Sequence, residues 1–366
     1  MTPRRTWLWL HLWMGVVLGA WFVLLGLTGS LLVFYPQIDR WLDPAHQVTG
    51  PCTPAPSGEA VYAALRASEP ARTGPWRIEL PRARGMAYDA RYNRPAERAD
   101  RAFAPLMVTV DACTLQVTSR RFWGDYPMTW LYDLHYQLLL GARGEVLVGI
   151  AGLLLLFSLG SGVYLWWPRG SWRAALRPQW RRGIQRATYD WHTRTGVYGL
   201  VLLVVLTGTG VLLALPDYAN PVIHRLSPLQ PMQQAVSRWQ EGQPRLPLDA
   251  ALRIAEGALP QAQARWIETP SGSGGSYRVR LWQPGEPSER FPLSYVWVDP
   301  SDGRVLAIQD ARARHAGNAL LAWLHPLHNG EAFGLVGQWL AVAAGLLPLV
   351  LFVTGLMRWR HKARRR

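Results

Sequence analysis

The chain repeats itself around its histidines. His11 is followed by Gly15, Thr28 and Gly29, and His192 by Gly196, Thr209 and Gly210 at the same offsets. His135 is followed by Gly144, Gly152 and Gly162, and His328 by Gly337, Gly345 and Gly355, again at equal offsets. Each histidine stands at the edge of a long apolar stretch. These stretches run near residues 8–34, 146–167, 197–215 and 335–357. Crossing a bilayer as a helix takes about 20 apolar residues, so each is long enough. Trp7, Trp9, Tyr35, Tyr164, Trp166, Trp167, Trp339 and Trp359 crowd their ends, where amphipathic rings favour the headgroup level. The first stretch is longer than the apolar part of a secretory signal and no small-x-small site follows it, so a retained helix is expected.

Basic residues orient the chain. Arg4 and Arg5, the connector with Arg169, Arg173, Arg177, Arg181, Arg182 and Arg186, and the tail from Arg358 onward hold fourteen positive charges against Asp190 alone. They account for nearly all of the net charge of +15. The positive-inside rule then puts both termini and the connector in the cytoplasm and both long loops outside. The basic balance thus follows from topology. No helix-turn-helix or zinc pattern points to nucleic acid. Cys52 and Cys113, the only cysteines, both fall in the first outer loop; an oxidising compartment allows them to bond or leaves two free thiols.

The expected fold is a membrane protein of four transmembrane helices in two parallel repeats, with two outer α+β modules. The division is 1–35 first span, 36–130 first outer module, 131–168 outer helical segment and second span, 169–191 basic connector, 192–215 third span, 216–320 second outer module, 321–358 outer segment and fourth span, and 359–366 basic tail. Parallel repeats are related by a pseudo-two-fold axis along the membrane normal, which sets span one opposite three and two opposite four. Each loop reads as one helix (GEAVYAALRAS; LDAALRIAEGALP) and alternating strands, near 76–80, 86–92 and 106–110, then 265–268, 277–281 and 295–298. Hairpins close at VDACTLQV and VDPSDGRV, where Asp and Gly supply turn chemistry. The Gly-Ser run at 271–276 reads as a flexible hairpin tip. Neither loop shows paired acids or a nucleophile–base arrangement.

Polar residues within a membrane are costly and functional by default. Topology pairs the four histidines. His11 lies six residues past Arg5, roughly 9 Å along a helix from the inner boundary, and His192 opens the third span at the same end. His135 and His328 precede the second and fourth spans at the outer end. Two bis-histidine sites for b-type haem are the expected result, His11 with His192 and His135 with His328, since neutral imidazole is a good axial ligand for haem iron. Gly15 and Gly196 lie one turn past their histidines; they leave room for a flat macrocycle or serve close helix packing. Gly29, Gly210, Gly162 and Gly355, far along the chain from the histidines before them, are assigned to packing. His325 precedes His328 by three residues and shares a helical face with it. The offsets favour His328 as ligand, and His325 is placed at the outer haem edge or against substrate. His46, His224, His315 and His361 have no matched partner and read as solvated. From His135 to Trp167 a continuous helix would run about 48 Å against an apolar core of about 30 Å. It must extend beyond the membrane or break near 141–144.

These residues resemble the PepSY-associated transmembrane family, which includes iron-regulated inner-membrane proteins and bacterial ferric-siderophore reductases. The carrying motifs are HLWMG at 11–15, DLHYQLLLG at 133–141, WHTRTG at 191–196 and LHPLHNG at 324–330, with the two VD-turn hairpins. They extend over nearly the whole chain. Cys113 stands where the family has a Pro- or Gly-containing turn. The resemblance implies a di-haem protein of the bacterial inner membrane that reduces ferric iron held by a siderophore at the periplasmic side. It leaves the electron donor open. No Gly-rich dinucleotide fingerprint is visible, so electrons must come from a separate cytoplasmic reductase or from quinol. Alternatives are a quinol-linked cytochrome with another acceptor, a siderophore transporter, or a haem-free regulatory protein.

Overall fold

The computed structural model describes residues 2–46, 56–82, 86–177 and 183–363. Cys52, Arg181, Arg182 and residues 364–366 of the basic tail lie outside them. The chain forms two compact units. One comprises Met1–Tyr35, Leu131–Val222 and Trp323–Arg366, the other Pro36–Trp130 and Ile223–Ala322.

The first unit is helical. It holds α1 (Pro3–Val17) and α2 (Gly19–Leu32), the end of α5 (Pro127–Gln137), α6 (Ala142–Trp166), α7 (Trp172–Leu176), α8 (Ile184–Tyr198), α9 (Leu200–Ala214), the start of α10 (Pro216–Leu226), the end of α12 (Ala316–His328) and α13 (Gly334–Ala363). Ala142–Trp166 and Glu331–Ala363 are each long and apolar enough to cross a membrane. The expected first and third spans are bent pairs, α1 with α2 by 55° and α8 with α9 by 59°, so the spans number two, or up to four if each pair is one span. The bends fall at Leu18 and Gly199, which occupy equivalent repeat positions and share a near-bridge backbone (φ −98°, ψ −8°; φ −82°, ψ −5°). Neither needs a proline; Gly19 and Gly199 instead let Phe352 and Leu347 of α13 press against the bent backbone. Helix α8 begins at Ile184, inside the basic connector, and runs on through His192. The break expected near 141–144 is present: α5 ends at Gln137, and Leu138, Leu139 and Gly141 take positive φ before α6 starts. Gly330 and Gly334, both at positive φ, make the matching break before α13.

Small residues set the helix crossings. Gly26 of α2 meets the backbone of Gly345 in α13, and Ser30 donates to the Val342 carbonyl at 3.1 Å. Gly149 and Gly152 of α6 seat Leu215 and Val211 of the α9 segment. Without a hydrophobic drive between helices in lipid, such close packing is a main source of association.

The second unit joins both long loops in one sheet of eight strands. The strands are β1 (Trp76–Glu79), β2 (Tyr88–Tyr92), β3 (Leu106–Val110), β4 (Val117–Phe122), β5 (Gln263–Glu268), β6 (Tyr277–Trp282), β7 (Ser294–Val298) and β8 (Val305–Gln309), in the order β4-β3-β2-β1-β5-β6-β7-β8. Two separate modules were expected. Instead β1 and β5 pair antiparallel, with Ile78 opposite Ile267. On one face α4 (Gly58–Ser68) and α11 (Leu248–Ala258) cover Trp76, Ile78, Val108, Ile267, Val279 and Val296. On the other, α3 (Tyr35–Leu42) is tied to β4 by Asp39 and Asp43, both paired with Arg121 at 3.1 Å.

Swapped caps bind the halves. Asp249 of α11 accepts from the Gly58 and Glu59 amides at 2.7 and 3.0 Å, capping α4. Glu59 of α4, the equivalent residue, accepts from the Leu248 amide at 2.7 Å and pairs with Arg245 at 2.6 Å. Each helix start, with its orphan amides and positive dipole end, is thus satisfied by the other repeat. The hairpin turns are alike too. Asp111 and Asp299 accept from the amides two residues on, and Leu115 (φ 57°) takes the left-handed position that Gly303 (φ 78°) fills in the second copy. Cys113 is disulfide-bonded. The Gly-Ser tip is less free than expected, because Gly274 exchanges backbone hydrogen bonds with Ser237 and Trp239.

Candidate functional site

The helical unit brings the four repeat histidines together in two pairs. His11 on α1 faces His192 on α8 with ring centroids 6.2 Å apart. His135 on α5 faces His328 on α12, also at 6.2 Å.

Each imidazole is anchored through Nδ1 to a hydroxyl on another helix. His11 Nδ1 lies 2.9 Å from Ser161 Oγ and 3.2 Å from the Ser158 carbonyl on α6. His192 Nδ1 lies 3.1 Å from Thr354 Oγ1 and 3.1 Å from the Leu351 carbonyl on α13. His135 Nδ1 lies 2.9 Å from Thr28 Oγ1 on α2. His328 Nδ1 lies 3.1 Å from Thr209 Oγ1 and 2.9 Å from the Leu206 carbonyl on α9. All four hydroxyls donate their own proton to a carbonyl of their own helix: Ser161 to Ser158, Thr354 to Val350, Thr28 to Leu24 and Thr209 to Val205, at 2.6–2.8 Å. They can therefore only accept from the imidazole, as a carbonyl does. The hydrogen-bond pattern thus assigns the proton to Nδ1 and leaves the Nε2 lone pair for a ligand. A hydrogen-bond acceptor behind the ring that fixes tautomer and ring direction is the usual support of a metal-binding histidine.

The spacing would admit one metal between two facing imidazoles. With a metal–nitrogen bond of about 2.0 Å, the two ring centres stand roughly 6 Å apart. Among the described residues no group of three or more His, Cys, Asp or Glu is placed to hold a metal ion. Glycines let each imidazole ring lie against the helix that anchors it. A Cβ on Gly29 would stand 2.9 Å from His135 Cε1, on Gly210 3.0 Å from His328 Cε1, on Gly162 3.2 Å from His11 Cε1, and on Gly355 3.4 Å from His192 Cε1. Their assignment to packing remote from the sites is thereby corrected: distance along one span says nothing about the histidine that a second span brings alongside. A Cβ on Gly15 would meet no atom within 4 Å and one on Gly196 only Leu351 Cδ2 at 3.7 Å, so neither is a close helix contact.

The other histidines divide. His325 Nδ1 lies 3.3 Å from Asn329 Nδ2, and it is His328 whose ring faces His135. His224 accepts from the Leu229 amide and His315 is exposed. His361, expected to be solvated, is half-buried, and its Nδ1 has no partner among the described residues.

A PepSY-associated TM region model matches residues 8–362. The chain belongs to the PepSY-associated transmembrane family. It is a membrane protein with two to four candidate apolar helices and a large antiparallel sheet. The uncharacterized protein PA4219 of Pseudomonas aeruginosa is 27% identical over an alignment of 256 residues, and the match covers 63% of this chain and 63% of the relative. The match thus spans less than two thirds of that protein's length.

The repeat offsets mark the histidines but not their supports. The signal was present as a hydroxyl–glycine dipeptide occurring four times in register: Thr28-Gly29, Ser161-Gly162, Thr209-Gly210 and Thr354-Gly355. Two charged residues near the first pair were also missed. Asp190, fully buried on α8, pairs with Arg194 at 2.9 Å and Arg186 at 3.4 Å. Arg358 stacks 4.7 Å over Tyr189 and interacts electrostatically with both His11 and His192.

Proposed function

We propose that this PepSY-associated membrane protein is a di-haem electron-transfer protein, a ferric-siderophore reductase of a bacterial inner membrane. Two facing imidazole pairs carry the reading, each with Nδ1 anchored and Nε2 free. In this reading α1–α2, α6, α8–α9 and α13 are four spans in two parallel repeats, and each half of the sheet is one PepSY-like module on the periplasmic side. Both termini are cytoplasmic in this reading, which the basic connector and tail support. The disulfide at Cys113 supports an oxidising compartment for the sheet unit.

His11 and His192 hold one b-type haem near the cytoplasmic side, and His135 and His328 hold a second toward the periplasm. Haem, when bound, supplies a one-electron redox centre at each histidine pair. The chain's own part is to fix the imidazoles and to tune the iron through their hydrogen bonds. Gly15 and Gly196 leave space one turn from their ligands, and His325 lies beside the outer site. Arg358, whose charge acts on both inner histidines, would offer a carboxylate of the inner group a cationic partner. The ferric siderophore is the substrate at the outer side, and reduction by outer-sphere transfer requires no covalent catalysis. Electrons enter from a separate cytoplasmic reductase or from quinol.

The test is a reduced-minus-oxidised visible spectrum of the purified protein, with haem counted per chain, followed by addition of a ferric siderophore to the reduced sample. About two b-type haems per chain and prompt re-oxidation are expected. Absence of haem would end the proposal. Haem without re-oxidation by any ferric siderophore would favour the quinol-linked cytochrome with another acceptor.

A further inference from the structure

The two histidine pairs are supported alike but charged differently. At each, both Nδ1 atoms meet a hydroxyl whose own proton is given to its helix, so the hydrogen bonds that tune a metal through its imidazoles are the same in kind. The surrounding charge is not. The helices of the outer pair, α5 and α12, carry Asp133 and neither Lys nor Arg. Asp133 is buried two residues before His135. The helices of the inner pair carry Arg4 and Arg5 on α1, and Arg186 and Arg194 beside Asp190 on α8. Arg358 of α13 joins them, with Arg360 and Lys362 exposed beyond it.

Arg358 lies one turn beyond Thr354, on the face of α13 that anchors His192. Its guanidinium is 4.7 Å from the centre of the Tyr189 ring, and that of Arg186 is 5.0 Å from the same ring. Tyr189 precedes His192 by three residues and shares its helical face. Asp190 is already held by Arg194 at 2.9 Å and Arg186 at 3.4 Å. Arg358 has no carboxylate within ion-pair distance among the described residues. Its charge acts on both His11 and His192, whereas no Arg, Lys, Asp or Glu among the described residues acts so on His135 or His328. The first repeat puts Leu165 at the place of Arg358, so the cation stands on one side of the inner pair only. Among apolar helices such a charge is felt more strongly than in water. Reduction takes one positive charge from an iron centre, so a nearby cation favours the reduced form.

We propose that Arg358 raises the reduction potential of the inner centre above that of the outer one, so that the inner centre fills first. That both centres are haem irons rests on the di-haem reading; that they differ rests on the placing of Arg358. The step is the arrival of one electron from a separate cytoplasmic reductase or from quinol. It takes the inner iron from ferric to ferrous, and no bond forms or breaks. The inner centre then keeps the first electron on the side of the donor, and the second electron fills the centre that meets the substrate. Ligand type and imidazole hydrogen bonding are matched at the two pairs, which leaves local charge as the lever by which this chain sets them apart.

The experiment is a mediated redox titration of the full-length, detergent-purified protein, followed in the visible spectrum with haem counted per chain. Two components are expected, and the one lost in His192→Ala marks the inner centre. In the wild type it should be the higher of the two. Arg358→Leu installs the residue of the first repeat and breaks no hydrogen bond seen in the structure. It is expected to make the inner centre about tenfold harder to reduce at a fixed potential, a fall of about 59 mV for one electron, and to leave the outer component where it was. Arg358→Lys keeps the charge and is expected to keep most of the potential, which a purely structural role would not do. Arg358→Gln serves if the leucine variant fails to fold. An inner component at or below the outer one in the wild type, an unchanged inner component in the folded uncharged variant, or equal falls of both components overturns the proposal. Protein without haem would remove the di-haem reading and this inference together, whereas two haems with an unchanged inner component would remove this inference alone. The expected fall without re-oxidation by a ferric siderophore would uphold it and remove the reductase reading.

Discussion

Substituting His328 by Ala separates a site from a scaffold. The change removes the Nδ1 bonds to the Leu206 carbonyl and the Thr209 hydroxyl. Each is worth about 1 kcal/mol net. Thr209 keeps its bonds to the Val205 and Leu206 carbonyls, so no hydroxyl is stranded. With the lost ring contacts the cost is about 2–4 kcal/mol, less than the roughly 5–15 kcal/mol that holds a typical domain folded. The chain therefore still folds, while one of the two facing imidazoles is gone. Haem content is expected to fall from about two per chain to about one. The redox titration should lose one component and keep the other, because His11 and His192 are untouched. Chemical haem quantification and a redox-resolved spectrum read both. His325→Ala is expected to keep both haems, since its ring is turned to Asn329. Loss of a haem from His325→Ala but not from His328→Ala would refute the ligand assignment. Loss of both haems from every single-histidine variant would refute two independent sites.

Other consequences are as specific. Gly29→Ala places a methyl 2.9 Å from His135 Cε1, so the ring must move; outer haem occupancy should fall on the order of tenfold with the inner one unchanged, and equal loss at both sites would show a global effect. Asp249→Ala strips two amide bonds from the α4 start and should destabilise the sheet unit by about 1–2 kcal/mol in chemical denaturation; an unchanged midpoint would dismiss the swapped caps. Burial raises the Glu286 carboxyl above its ordinary value of 4.5. The unfolded chain then ionises first, so this residue's share of stability is present below pH 4.5 and fades as pH rises through the raised value. Thermal melts from pH 4 to 7 should show the Glu286→Gln variant gaining on the wild type with rising pH, and a constant difference would negate this.

Much of the architecture is legible in the chain because it is written twice. The helices at 58–68 and 248–258 and the alternating strands stand out from local pattern alone. The histidine pairs stand out because duplication marks them. What escapes is whatever joins residues far apart. No local signal tells that β1 will choose β5, or that Asp249 caps a helix 190 positions earlier. The bends at Leu18 and Gly199 lack a proline, the residue that announces a kink, and come from close approach of α13. The glycines near the histidines were assigned to packing for the same reason, since their partners lie on other spans.

The repeat also explains why the sites need both halves. In the first half, α1 presents His11 and α2 presents the Thr28-Gly29 support, while the segment from α5 to α6 presents His135 and the Ser161-Gly162 support. The supports cross over: α6 anchors His11, and α2 anchors His135. The second half does the same with α13 anchoring His192 and α9 anchoring His328. Each half is thus complete in holding its own imidazoles but has only one for each pair. Orientation is an internal matter of a half, whereas a two-imidazole site exists only where halves meet. A duplicated ancestor would have needed two copies to make either site. Fusion into one chain removes the concentration dependence of that meeting. It also frees the halves to diverge, and Arg358, whose counterpart in the first half is Leu165, is such a divergence beside a single pair.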